Sequence, residues 1–217
     1  MLDDESFDAL YPRTIRGSSR RHWTPFHVVV RALELLELDE GSRVLDIGSG
    51  SGKFCLIGAL RTRARFVGVE QREPLVRLSR AMARRFRVER VAFHHALVEQ
   101  LDWTPFDRLY FYNPFGECHL ASEERLPFAA DLSDERFQDL IRTARSKLEC
   151  LPVGARVVTF HGLGGPMPEG YRCVAAEVWD DGILKCWLRD DLPGLRGMAA
   201  DTFEDLADGF SSRPRRA

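Results

Sequence analysis

The sequence lacks several features that would assign it to a class at once. No apolar run approaches the length of a transmembrane helix, and the acidic residues 1–5 lack the apolar core of a secretory signal. The five cysteines are odd in number and form no C-x-x-C pair, a pattern typical of free thiols rather than of disulfides or a zinc site. We therefore expect a cytoplasmic protein that does not contact a membrane.

An excess of basic charge is missing too. The chain has 31 Lys and Arg against 33 Asp and Glu, a formal net charge of −2, whereas surfaces built to hold nucleic acid usually carry excess basic charge. We therefore expect no nucleic-acid partner, although the composition leaves room for local basic patches. The length of 217 residues, 44% of them hydrophobic, fits one domain of ordinary size.

Short apolar runs alternate with longer amphipathic segments along most of the chain. This pattern predicts strands at 43–47, 65–69, 90–94, 108–112 and 155–160, and helices at 53–63, 73–87 and 133–148. Such alternation is typical of a parallel sheet covered by helices. Two further strand-like runs, 171–179 and 183–189, flank an Asp-Asp-Gly turn. The predicted fold is a doubly wound, Rossmann-like α/β sheet of seven mostly parallel strands with a C-terminal antiparallel hairpin.

A helix is also predicted before the first strand. Thr24 and Pro25 suit the cap and the first position of a helix, which would run to Leu38 and stop before Gly41. We expect residues 1–40 to form a helical cap, residues 41–192 the α/β core, and residues 193–217 a C-terminal helix and flexible tail.

A glycine-rich loop follows the first predicted strand. Residues 46–52 read Asp-Ile-Gly-Ser-Gly-Ser-Gly, and such glycines let the chain turn sharply and let a ligand approach the backbone. The next helix presents unpaired N–H groups at its start. Glu70 follows the second strand, twenty residues after Gly50, where a carboxylate can accept hydrogen bonds from a ribose diol. These features predict a nucleotide-type cofactor at this edge of the sheet.

Two familiar nucleotide sites fail on residues that their chemistry needs. A nicotinamide fingerprint, G-x-G-x-x-G, requires glycine where this chain has Lys53. A P-loop is half present as Gly52-Lys53, but Ile47 occupies the first glycine position and Phe54 replaces the hydroxyl that binds magnesium.

The remaining pattern, D-x-G-x-G-x-G with an acid after the second strand, resembles class I (seven-strand) S-adenosylmethionine-dependent methyltransferases. The resemblance implies S-adenosyl-L-methionine as cofactor, with the loop against its methionine part and the acid on its ribose. The residues that we expect to contact the cofactor are Thr24, Asp46, Gly48, Ser49, Gly50, Glu70, Gln71, Ala96 and Asn113. A non-catalytic module that binds the cofactor or its product is the alternative.

A second motif, Asn113-Pro114-Phe115, follows the fourth strand, at the edge where open α/β sheets bind ligands. An asparagine carbonyl and a backbone carbonyl held by proline can accept hydrogen bonds from an amine and aim its lone pair at a methyl group. The motif resembles the [D/N/S]-P-P-[Y/F] signature of nitrogen methyltransferases, with one proline missing. A strand-ending turn is the other interpretation. We expect these three residues to be catalytic.

The order of motifs over about residues 20–116 resembles the non-SET lysine methyltransferases, which include the disruptor-of-telomeric-silencing family, and their small prokaryotic relatives. This resemblance implies that Thr24 lies near the cofactor's carboxylate and that Asn113 belongs to the turn after the fourth strand. The expected acceptor is therefore an amine nitrogen, of a protein lysine or of a small molecule.

Several other residues have both a structural and a functional interpretation. His94 and His95 follow the third strand near the expected adenine, His161 follows the fifth and could act as a base, and the segment before the first helix could cover the cofactor. Arg77, Arg80, Arg84 and Arg87 share one helix face, which suggests a solvated surface more than a site for an acidic partner. Cys118 and His119 are adjacent but have no further ligands at metal spacing, so no metal is expected.

Overall fold

The computed structural model describes residues 3–16, 22–113, 115, 133–179 and 182–190. The helices are α1 Asp4–Asp8, α2 Arg13–Arg16, α3 Phe26–Leu35, α4 Lys53–Arg61, α5 Glu73–Arg85 and α6 Asp134–Glu149. The strands are β1 Arg43–Ile47, β2 Arg65–Glu70, β3 Val91–His95, β4 Arg108–Tyr112, β5 Arg156–Phe160, β6 Tyr171–Trp179 and β7 Gly182–Arg189. Pro114, Cys118, His119 and the expected C-terminal helix and tail lie outside the described residues.

The seven strands form one sheet in the order β3-β2-β1-β4-β5-β7-β6. Strands β1 to β5 pair in parallel, and β7 runs antiparallel between β5 and β6. This arrangement confirms the predicted fold. The chain reverses its direction of winding between β1 and β4, and the crevice at the carboxyl ends of these two strands is where such sheets bind ligands.

The strands are apolar on both faces because each face carries its own core. On β1, Val44 belongs to the core under α3, α4 and α5, whereas its neighbour Leu45 belongs to the core under α6. Tyr110 and Phe111 divide in the same way on β4. Side chains alternate across a strand, so a sheet covered on both sides needs apolar residues at consecutive positions.

The helix before β1 differs from the sequence prediction. It begins at Phe26 and ends at Leu35, and Pro25 occupies its N-cap with no side-chain cap bond. Asp4 supplies the cap instead, since its Oδ1 accepts the Phe26 N–H at 2.9 Å. The Thr24 hydroxyl pairs with the Tyr110 hydroxyl at 2.9 Å. The predicted Thr24 cap was wrong, because the Thr24 hydroxyl is bonded to Tyr110 and the Phe26 N–H is bonded to Asp4.

Among the described residues, no helix is long and apolar enough to cross a membrane. The same residues contain no group of three or more His, Cys, Asp or Glu side chains placed to hold a metal ion.

Candidate functional site

The glycine loop leaves β1 in a conformation that only glycine adopts easily. Gly48, Gly50 and Gly52 have φ angles of 72°, 52° and 82°. The N–H groups of Gly48 and Ser49 both donate to the carbonyl of Val69, at 3.0 and 2.9 Å. The loop is therefore fixed to the end of β2, which places it at the carboxyl edge of the sheet.

Phe93 of β3 packs closely against this loop. A Cβ on Gly52 would lie 2.6 Å from the Phe93 ring, and a Cβ on Gly68 would lie 2.7 Å from the same ring and 2.6 Å from Ser49 Oγ. Ser79 of α5 donates its hydroxyl to the Gly50 carbonyl at 3.1 Å. Phe93 and Ser79 carried no signal in the sequence, because only the folded geometry brings β3 and α5 against the loop.

Glu70 ends β2 with its carboxylate turned toward the loop. It is 5% exposed, its Oε2 accepts the Gly50 N–H at 3.1 Å, and its Oε1 accepts the Arg72 N–H at 2.8 Å. The Arg72 guanidinium lies 3.7 Å from Oε1. These contacts hold the carboxylate at the end of β2 beside the glycine loop.

Asp46 lies buried beneath the loop, with Cys55 of α4 as its hydrogen-bond donor. The Cys55 Sγ is 3.4 Å from Asp46 Oδ2. Burial raises the pKa of Asp46 to about 7; the Cys55 hydrogen bond opposes this rise and the Glu70 charge adds to it. A cationic group placed nearby would favour the ionised carboxylate.

Lys53, which excluded a nicotinamide fingerprint, proves to be a buried anchor. Its side chain is 4% exposed, and its Nζ lies 2.5 Å from Asp4 Oδ1 and 2.8 Å from Asp8 Oδ1, both on α1. The Trp23 ring centroid is 5.8 Å from the same nitrogen. Tyr11 adds a second tie by donating its hydroxyl to the Ser51 carbonyl at 3.2 Å. The N-terminal segment is thereby fastened onto the glycine loop.

Three more residues that were predicted to contact the cofactor lie near this edge, where each is hydrogen-bonded to another residue of the protein. Thr24 is buried and bonded to Tyr110. The Ala96 N–H donates to the Glu70 carbonyl at 3.2 Å. The Gln71 carbonyl lies 3.1 Å from Nε2 of His95. Their contacts with a cofactor stay predictions.

The ends of β4 and β5 form the other half of the edge. Asn113 and His161 follow these adjacent strands, are exposed, and have positive φ angles of 38° and 65°. Their N–H groups donate to the carbonyls of Phe160 and Ile183, at 3.1 and 3.3 Å. Asparagine and histidine tolerate this left-handed conformation better than most residues, and such conformations cluster at functional sites.

Aromatic rings lie beside Asn113. The rings of Tyr112 and Phe160 are stacked with centroids 5.8 Å apart, and the His161 ring lies 5.7 Å from Tyr112. Phe160 is fully buried, and Phe115 is 5% exposed and belongs to the core under α6. The structure therefore offers Asn113, His161 and the half-buried Tyr112 to a ligand, while the catalytic role expected of Phe115 stays a prediction.

Comparison with known proteins gives partial matches. The family model of protein-L-isoaspartate(D-aspartate) O-methyltransferase (PCMT) matches residues 17–113, somewhat less than half of the chain. The 23S rRNA (uracil(1939)-C(5))-methyltransferase RlmD of Nitrosococcus oceani is 39% identical over 79 residues. That match covers 36% of this chain and only 17% of the relative.

Solved structures match over more of the chain. An RNA methyltransferase from Salinibacter ruber in complex with S-adenosyl-L-homocysteine gives a TM-score of 0.59 at 22% identity, covering 81% of this chain and 99% of that one. A precorrin-6y C5,15-methyltransferase from Geobacter metallireducens GS-15 gives 0.53 at 16% identity, covering 79% and 92%. At these identities the likeness establishes the fold, and the fold alone does not specify the acceptor. Taken with the sheet order, the matches establish that the chain shares the fold of these methyltransferases.

Proposed function

We propose that this protein transfers the methyl group of S-adenosylmethionine to an amine nitrogen, carried by a protein lysine or a small molecule. The observation that carries the proposal is the Glu70 carboxylate, buried at the end of β2 and hydrogen-bonded to the backbone of Gly50 and Arg72. Such a preorganised carboxylate beside a glycine loop suits a ribose diol. Asn113 at the end of β4 supports an acceptor on the neighbouring side of the crevice.

The residues of this chain would act mainly by binding and orientation. The bound cofactor supplies a methyl group on a positively charged sulfur. Backbone groups from Gly48 to Gly50 would contact its methionine part, and Glu70 would hold its ribose. Asp46 would interact with its amino group, directly or through water, as an ionised carboxylate favoured by that positive charge.

On the acceptor side, the Asn113 amide would accept a hydrogen bond from the amine. This contact would direct the nitrogen lone pair at the methyl carbon, so that the new C–N bond forms as the C–S bond breaks, and solvent would take the amine proton. Alignment of this kind accounts for a large share of catalysis in bimolecular reactions. The Tyr112 ring would form one wall beside the amine.

Paired substitutions test the two halves separately. Glu70→Ala should weaken S-adenosylhomocysteine binding about 10- to 100-fold, because it removes charge-assisted hydrogen bonds worth roughly 1.5–3 kcal/mol. Asn113→Gly should leave that affinity within about twofold and lower turnover, since glycine accepts the backbone conformation without strain. Calorimetry and conversion of labelled cofactor measure the two effects. Glu73→Ala, an exposed acid on the next helix, is the control for Glu70.

Unchanged affinity in Glu70→Ala would contradict the ribose assignment, and unchanged turnover in Asn113→Gly would contradict the orienting role. If the wild-type protein binds the cofactor but forms no S-adenosylhomocysteine with protein, amine or RNA mixtures, the non-catalytic alternative holds.

The comparisons favour a second class of acceptor. The Nitrosococcus oceani relative is named as an rRNA methyltransferase, and the Salinibacter ruber structure is described as an RNA methyltransferase. The expectation of no nucleic-acid partner rested on net charge, which says nothing about how charge is distributed. An amino nitrogen of a nucleobase would suit the Asn113 chemistry equally well, so RNA is the second candidate.

A further inference from the structure

Basic charge is concentrated in one part of the chain. Residues 61–95 contain ten arginines, no lysine and three acids, a formal charge of +7, although the whole chain carries −2. The remaining residues therefore carry −9. The arginines are Arg61, Arg63, Arg65, Arg72, Arg77, Arg80, Arg84, Arg85, Arg87 and Arg90. Such asymmetry creates a local positive potential that net charge conceals.

Part of this charge lines a groove of about 460 Å³ between α5 and β3. Strand β3 is an edge of the sheet, paired with β2 alone in the part of the chain that the structure describes. The lining of the groove contains three arginines, Arg80, Arg84 and Arg87, and a single acid, Glu89, and its other residues are apolar. We call this feature the arginine groove.

The arginines of the groove differ in their partners. Arg80 is held in place, because its Nε and Nη2 donate to the Phe93 carbonyl at 3.0 and 2.7 Å. The side chains of Arg84 and Arg87 make no hydrogen bond or ion pair with any other described residue. Their guanidinium groups therefore keep their donors available for a ligand, and guanidinium binds phosphate through two parallel hydrogen bonds.

A purely solvated helix face explains this arrangement less well than an anionic ligand does. Arg84 lies in the last turn of α5, and Arg87 follows the end of the helix with a φ angle of 54°, yet both line the same groove. Arg77, one turn before Arg80, has an acidic neighbour in Glu73 at 3.4 Å. From Arg77 to Arg84 the row spans about 10 Å along α5, at about 1.5 Å per residue, and Arg87 extends it beyond the end of the helix.

The groove lies toward the amino end of β3 and shares Phe93 with the proposed cofactor site. Phe93 lines the groove and accepts the Arg80 hydrogen bonds, while its ring packs against Gly52 and Gly68. Helix α5 begins at Glu73, directly after the end of β2, so a chain of phosphates that continued from the groove toward the start of α5 would approach the carboxyl edge of the sheet.

We propose that the arginine groove binds the sugar–phosphate backbone of single-stranded RNA and so holds an RNA substrate on the enzyme. The choice of RNA rests on the second acceptor class of the proposed function. The choice of a phosphate chain rests on the row of arginines, the single acid in the lining and the two unpaired guanidinium groups.

Fluorescence anisotropy with a labelled 20-nucleotide single-stranded RNA of mixed sequence tests the groove without any need for turnover. The double variant Arg84→Glu/Arg87→Glu should bind at least about tenfold more weakly than the wild type. For this variant, the slope of log K against log salt concentration should be shallower by about 1.4, because each phosphate contact on a single strand contributes about 0.7 and two contacts are lost. The control Arg142→Glu/Arg172→Glu makes the same change in net charge on α6 and β6 and should bind within about twofold of the wild type.

The proposal is overturned if the wild type does not bind the RNA, or if both double variants lose affinity equally. It is also overturned if poly-L-glutamate, which carries negative charge but no phosphate, competes as well as unlabelled RNA does. Thermal stabilisation by S-adenosylhomocysteine is measured on every variant. Stabilisation without RNA binding refutes the groove and leaves the cofactor assignment intact, whereas loss of stabilisation in the wild type refutes the proposed function.

Discussion

The two halves of the carboxyl edge of the sheet are built differently. On the proposed cofactor side, where β1 and β2 end, Asp46, Lys53 and Glu70 are charged or titratable and each is at most 5% exposed. On the proposed acceptor side, where β4 and β5 end, Asn113 and His161 are exposed and held in left-handed backbone conformations. Buried polar groups need partners fixed in advance, so the first side is organised before any ligand arrives, whereas the second presents its polar side chains to solvent.

A buried ion pair on the proposed cofactor side and a half-exposed ion pair between α3 and β6 give the largest expected contrast. Lys53→Met should destabilise the protein by about 3 kcal/mol, because it leaves the nearly buried Asp8 carboxylate without its counter-charge. Arg31→Met removes the ion pair with Glu177 at 2.7 Å, whose side chains are 38% and 29% exposed, and should cost about 0–1 kcal/mol. Urea unfolding measures both losses. Equal losses would show that the proposed cofactor side depends no more on its buried ion pair than the surface depends on the Arg31–Glu177 pair.

Glycine substitutions give the next contrast. Gly52 and Gly162 have similar φ angles, 82° and 77°, but a Cβ meets Phe93 at 2.6 Å in the first and nothing within 4 Å in the second. Gly162→Ala should cost about 1–2 kcal/mol from backbone strain alone, and Gly52→Ala about 1–3 kcal/mol more from the steric conflict. Thermal unfolding compares them. If the two variants proved equally stable, the close packing of Phe93 against the loop would be refuted.

The third contrast is in pH dependence. Because the pKa of Asp46 is raised to about 7 from 3.8, the folded state retains a proton that the unfolded state loses, and stability should fall as pH rises from about 4 to 7. Asp46→Asn should remove this decline, a difference of up to about 4 kcal/mol at pH 8, since each unit of pKa corresponds to about 1.4 kcal/mol.

Glu177, a half-exposed carboxylate on β6, should behave in the opposite way. Hydrogen bonds from Arg31 lower the pKa of Glu177, so its contribution is present above the ordinary glutamate pKa of 4.5 and is lost as pH falls through the folded value. Glu177→Gln should therefore lower stability at neutral pH, by about 0–1 kcal/mol, and this difference should vanish in acid. Denaturation series from pH 3 to 8 measure both variants, and a decline with rising pH that persists in Asp46→Asn would refute the assignment to Asp46.

The sequence was sufficient for the sheet because strand and helix periodicity is local. Strands β1 and β4 were predicted at their observed bounds, and the Asp-Asp-Gly turn motif correctly predicted the antiparallel β6–β7 pair. The position of Glu70 followed from its place after β2, and the structure turns its carboxylate toward Gly50. These features depend on residues within about twenty positions of one another.

The missed features depend on long-range contacts. Asp4 caps α3 from 22 positions away and pairs with Lys53 from 49 positions away, and no local pattern reports either contact. Thr24 had the chemistry of a helix cap but bonds Tyr110 across 86 positions. Arg80, expected on a solvated face, instead holds the Phe93 carbonyl. In each case the sequence revealed what a side chain can donate or accept, and the fold selected the partner.

The ion pairs of Lys53 with Asp4 and Asp8 of α1 also constrain the order of folding. The ammonium of Lys53 can be buried with its carboxylate partners only when α1 returns to a loop that β1, β2 and α4 have already shaped. Contacts between residues some fifty positions apart in the sequence form late, because the entropy cost of closing the intervening chain must be overcome first. The earliest helix in the chain should thus be among the last elements to dock, and hydrogen exchange during refolding should protect the amides of β1 and β2 before those of α1.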